Sequence, residues 1–156
     1  MAITREFVLD FLQTRQDCDA AKLEPYLDDD VDWLISGPVD VLPHCGYRKG
    51  KSAVIDMVCR IAPDTFEARH FDIKHLLVQG DYAATMSLFH AVHIATKRSI
   101  SYRAAHFMRF RDDKLIWFRG LIDTLSATEQ FVGHELDLAH APDPISLVPD
   151  ADLVEV

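Results

Sequence analysis

A chain of 156 residues, 49% hydrophobic and 26% charged, has the composition of one globular domain long enough to bury a core or wrap a cavity. Its formal charge of −9 argues against nucleic acid and against an anionic membrane surface, because both demand a basic face. No run approaches the roughly 18 apolar residues of a membrane span, and the first six residues lead into a helix rather than an apolar signal core. Cys18, Cys45 and Cys59 are odd in number and lack paired spacing, so reduced thiols and a cytoplasmic setting are predicted.

Helical spacing of Ile3, Phe7, Phe11 and Leu12 predicts a first helix over residues 3–16, with Arg5, Asp10, Gln13 and Gln16 on its wet side. The break at Asp17-Cys18-Asp19 supplies an aspartate cap for a short second helix through Leu23. Pro25 and the run Asp28-Asp29-Asp30 predict a solvated loop before a strand over residues 32–36. Residues 37–50 form a long connection carrying Pro43, His44, Cys45 and Gly46. Val54, Met57, Val58 and Ile61 make one apolar stripe over residues 51–61, and Pro63 is predicted to end that helix. A strand over residues 66–78 follows.

Residues 80–123 read as three consecutive strands separated by turns at Lys97-Arg98-Ser99 and Arg111-Asp112-Asp113. The alternating set Ile100, Tyr102, Ala104, His106, Met108 and Phe110 is apolar but for His106. The set Tyr82, Ala84, Met86, Leu88, His90, Val92 and Ile94 is apolar but for His90. One imidazole set into each of two neighbouring apolar faces points to a pocket. A three-residue loop at 97–99 places the two histidines opposite one another on one face; a two-residue Lys97-Arg98 loop puts them on opposite faces. With a three-residue loop at 111–113, Ile116, Phe118, Gly120 and Ile122 face the cavity and Arg119 and Asp123 face away. Asp123 or Ser126 caps a last helix, Ser126 with Glu129 having the form of a capping box. From His134 onward, Pro142, Pro144 and Pro149 in acidic surroundings predict an extended tail over residues 134–156, after a domain over residues 1–133.

Other chemistry finds little support. His90 and His93 diverge on a strand, and His44, His70 and His75 show no ligand spacing, so no metal is expected. Cys45 lacks a convincing base, since adjacent side chains such as His44 usually diverge. No phosphate loop, dinucleotide glycine pattern or serine elbow is present, and no cofactor is expected.

Three segments carry a family likeness: Leu27-Asp28-Asp29-Asp30-Val31-Asp32-Trp33; Cys45-Gly46-Tyr47-Arg48-Lys49-Gly50; and Phe110-Arg111-Asp112-Asp113-Lys114-Leu115-Ile116 with Arg119 and Asp123-Thr124. Together they resemble the SnoaL-like, ketosteroid-isomerase-like branch of the nuclear transport factor two superfamily over roughly residues 3–133. The resemblance implies an α+β fold, a cone-shaped, mainly antiparallel curved sheet wrapped round the N-terminal helices in the cystatin-like manner. It places a ligand cavity inside the cone, with His90 and His106 on the cavity side. The ketosteroid isomerase base matches Ile35, and the epoxide hydrolase triad matches Met86, Leu88 and Gly120. None of these can take a proton or orient water, so neither mechanism is expected.

Two function classes follow. One is a binding module for a small apolar or ring-shaped molecule. The other is a cofactor-independent isomerase, cyclase or dehydratase in which His90 and His106 act as acid and base. Trp33, Ile35, Met86, Leu88, Tyr102 and Phe118 make up the expected substrate-binding set. Residues 115–122 are apolar on both faces (Leu115, Trp117 and Leu121; Ile116, Phe118 and Ile122). With Phe89 and Phe107 extending the outer patch, this predicts a homodimer through the sheet.

Overall fold

In a computed structural model, residues 2–137 and 139 are described, so most of the expected tail over 134–156 lies outside the described residues. The first helix, α1 (Arg5–Gln16), begins where the Thr4 hydroxyl accepts the Phe7 N–H. Its buried stripe of Val8, Phe11 and Leu12 packs into the sheet, with Phe7 and Phe11 edge-on to Phe110. After α2 (Ala20–Leu23), capped by Asp19, a 3₁₀ turn (Glu24–Tyr26) enters β1 (Leu27–Ser36). The acidic run therefore lies within this strand rather than in a loop before it. It nevertheless bows away from its neighbour, because the pairing of β1 slips between Leu27 and Asp32. Lys51 holds Asp29 at 2.7 Å there.

Residues 46–49, read from the sequence as connection, form a short strand, β2 (Gly46–Lys49), on the edge beside β1. The next helical segment is α3 (Lys51–Asp56), a π-helical turn (Met57–Ile61) and α4 (Ala62–Thr65). Pro63 does not end it. The wider π turn carries the helix past the proline, which sits in the first turn of α4 where its missing N–H costs little.

Four strands complete the sheet: β3 (Phe66–Gln79), β4 (Tyr82–His93), β5 (Ser99–Arg111) and β6 (Lys114–Ile122). The order is β2-β1-β6-β5-β4-β3, antiparallel throughout except for the parallel β1–β6 pair. Bulges on β3 between Ala68 and His70 and between Ile73 and His75 interrupt its ladder with β4 and bend the sheet. The α+β architecture expected from the resemblance is the one observed. Asp123 caps α5 (Thr124–Val132) by accepting the Ser126 N–H, so Ser126 lies inside the helix. No described helix is long and apolar enough to cross a membrane.

One register decides between the two hairpins the sequence left open: its parity is that of the even loop, which sets His90 and His106 on opposite faces. Residues 94–98 lie between β4 and β5, and His93 N–H donating to Arg98 O pairs 93 with 98, which leaves a four-residue loop, 94–97, in which Lys97 N–H donates to His93 O with Lys97 at φ 60°. That even loop pairs Thr85 with His106 and Phe89 with Tyr102, and sets His90 opposite Ser101. The inward face of β4 is therefore Ala83, Thr85, Ser87, Phe89 and Ala91, while Met86, Leu88 and His90 face outward. Phe89, expected outside, is inside. On β6 a bulge beside Arg109/Phe110 turns Leu115 into the core while Trp117 stays on the outer face.

Candidate ligand site

Inside the sheet lies a cavity of about 350 Å³. The C-terminal end of α1 and the two residues after it (Arg15 to Cys18), the π turn (Met57, Val58), the start of β3, and Ile35, Phe89, Tyr102 and His106 line it. Tyr102 and His106 are even-numbered residues of β5, whose inward face is buried from Ile100 to Phe110. Ile35 comes from the last inward position of β1. Gly120 explains how these groups fit. A Cβ there would lie 2.9 Å from Ile35 Cγ1 and 3.4 Å from His106 Cδ2, so the missing side chain is what lets the imidazole lie against β6.

His106 is buried, with Nδ1 3.2 Å from the Thr85 hydroxyl and its ring 5.9 Å from Phe71 and 5.2 Å from Phe118. Burial, reinforced by the positive charge of Arg15, holds its pKa well below the usual imidazole range, so it is neutral at pH 7. The second imidazole of the site is His44, which sequence reasoning did not select. It stands on the 37–45 connection, folded by Val41 and Leu42 N–H groups donating to Pro38 O and by Cys45 N–H donating to Leu42 O. Gly37 lets this loop close on β1, since a Cβ there would meet Cys45 Sγ at 2.5 Å.

His44 Nε2 is 3.2 Å from the Tyr102 hydroxyl, and the ring stands edge-on to Phe66. Burial first, then Arg15, pushes the His44 pKa down to about 4. Burial raises that of Tyr102, so the pair is a neutral imidazole and a protonated phenol. Contrary to expectation, His44 and Cys45 do not diverge: Sγ lies 3.8 Å from Nε2. Cys45 is still no nucleophile, because burial pushes its thiol up to about 12.

Of the sequence-selected residues, the structure brings Ile35, Tyr102 and His106 to the cavity. Trp33 and Phe118 stack on each other in the core, 3.6 Å apart and 4° from parallel, rather than lining it. Met86 is 49% exposed and sits with Leu88 and His90 on the outer face, so His90 and His106 cannot share a substrate. The corrected inward face of β4 carries no carboxylate from Ala83 to Ala91. Arg119 pairs with Asp32 at 2.7 Å on the outer side, in the structural role expected of a residue facing away. No cluster of three or more metal-ligating side chains occurs among the described residues.

The SnoaL-like domain family matches residues 8–118, which takes in most of α1, the π turn and most of the sheet. The chain belongs to the SnoaL-like family. A crystal structure of a provisionally assigned isomerase from Rhodopseudomonas palustris is 30% identical, with TM-score 0.77, over 85% of this chain and all of that one. An NTF2-like protein of Burkholderia xenovorans is 21% identical, with TM-score 0.71, over 81% of this chain and 93% of that one. A SnoaL-like polyketide cyclase structure, provisionally assigned, from Shewanella denitrificans has TM-score 0.70 at 14% identity, over 83% of this chain and 97% of that one. These last two similarities are of fold. No functionally curated protein matches the chain. Isomerase-named and cyclase-named neighbours on one scaffold leave function to be argued from the site.

Proposed function

We propose that this SnoaL-like chain is a small-molecule pocket protein that takes a largely apolar, ring-shaped ligand into the cavity above Tyr102 and His106. The observation that carries this reading is the cavity itself. About 350 Å³ suits a compact organic molecule, and apolar walls with a few convergent polar groups are the usual composition of such sites. The protein acts in the cytoplasm, as its unpaired cysteines suggest, with neither nucleic acid nor membrane as partner. Two copies pair through the outer face of the sheet, where Met86, Phe107 and Leu121 are 49%, 45% and 52% exposed. Native mass spectrometry of protein purified without denaturation is the test: an organic adduct released by heating supports the reading, and a bare chain from every preparation contradicts it.

A second reading has its own support. His106 is neutral, its Nδ1 is engaged by Thr85, and Nε2 has no hydrogen-bond partner among the described residues, so one nitrogen is oriented and the other is open to proton transfer. With the Tyr102–His44 pair as a donor nearby, this arrangement suits a cofactor-independent isomerisation, cyclisation or dehydration. The acid/base pair would then be His106 with Tyr102–His44, in place of His106 with His90.

A further inference from the structure

Arg15 is half-buried at the end of α1, where the core meets the cavity. It follows Val8, Phe11 and Leu12 by seven, four and three positions, so it continues the buried stripe of α1 and enters the cavity wall. Its guanidinium carbon lies 5.6 Å from the Trp33 ring, 5.7 Å from Phe71 and 5.3 Å from Phe118. Three aromatic rings stand close to the cation, and it forms no ion pair with any Asp or Glu among the described residues. Asp17, two residues on and also at the cavity, is instead held by Gln13 Nε2 at 2.8 Å.

Buried cations are ordinarily paired. Here Arg15 Nη1 is sealed from solvent with no hydrogen-bond partner among the described residues; Trp33 Nε1 is a second such donor, although Trp33 lies in the core behind the cavity wall. His44 Nδ1 is also unpartnered, and it becomes a third such donor if the Tyr102 hydroxyl donates to Nε2. What the site lacks is therefore an acceptor, and one carrying negative charge. We propose that the ligand of this pocket is a small organic carboxylate, its acid group held on Arg15 and its apolar body lying against Phe89 and Ile35 toward His106. A planar carboxylate matches the fork of a guanidinium, and in this aromatic surround the pairing is stronger than at a surface. The lowered pKa of Arg15, about 10 through burial, agrees with a cation waiting for its counter-ion. The proposal rests on the pocket reading above and specifies its ligand.

Benzoate and its uncharged counterpart benzamide, both small enough for the cavity, test it on the full chain. Millimolar benzoate is expected to raise Tm saturably, benzamide to do so far less, and Arg15→Met to abolish the benzoate effect while itself melting several degrees higher than the parent. Side-chain nitrogen NMR of the unmodified protein gives a readout independent of any variant: the Arg15 guanidinium signals should shift with benzoate and not with benzamide. Equal stabilisation by both compounds, or benzoate binding that survives Arg15→Met, overturns the carboxylate assignment and leaves the pocket reading standing. No response to either compound overturns both.

Discussion

Between pH 7.5 and pH 5 the protein is expected to lose stability steeply, and the loss should trace to two buried imidazoles. The pKa of His44 falls from an unfolded value of about 6.5 to about 4 in the fold, and that of His106 falls in the same direction. The folded state then binds fewer protons than the unfolded chain. The full stability is present above about pH 6.5 and declines as pH drops toward 4. At pH 5 the His44 contribution alone is about 2 kcal/mol, with more from His106, a large part of a marginal total. Urea midpoints at pH 7.5, 6 and 5 measure it. The slope should flatten in His44→Gln and flatten further when His106→Gln is added. A midpoint independent of pH over this range, or an unchanged slope in the double variant, would contradict the buried neutral imidazoles.

A second large effect is expected at Trp117. Tyr82, Met86, Phe107, Trp117 and Leu121 stand on the outer face of β4, β5 and β6, and Arg119 lies over the Trp117 ring at 4.8 Å. If two sheets pair about a two-fold axis on this face, each Trp117→Glu change enters the interface twice and buries a carboxylate against apolar surface. Aromatic anchors at interface centres are worth at least about 2 kcal/mol each, so dissociation should strengthen by well over about 30-fold. Sedimentation at micromolar concentration should show a dimer for the parent and a monomer for the variant. The His44–Tyr102 and Thr85–His106 contacts lie on the other side of the sheet and should persist. A monomeric parent would remove the proposed pairing.

The alternation along β5 was legible because every inward residue there is apolar or aromatic apart from one histidine, and it located Tyr102 and His106 correctly. The same reasoning inverted β4. Its more apolar set, Met86, Leu88 and their neighbours, lies outside, whereas the cavity side carries the small and polar Thr85 and Ser87. Hydrophobicity names the dry face of a strand only when a single core competes for it; here an outer patch competes with a partly polar cavity. Parity then rests on the loop at 94–97, where the turn residues allowed more than one length.

Arg15 was readable in principle, as a cation on the helical stripe of Val8, Phe11 and Leu12. His44 was not. It owes its place to turns around Pro38 and to the space at Gly37, which leave no periodic trace. Nor did any pattern announce the π turn that carries the chain past Pro63.

Methyl and ring NMR of the unmodified protein during titration with a small aromatic carboxylate bears most directly on the central claim. Ile35, Met57, Val58 and the His106 ring border the cavity. These signals should shift together and saturate with one binding constant, while Met86 and Leu88 on the outer face stay fixed. Shifts confined to Met86 and Leu88, or none at all, would contradict a ligand site inside the sheet.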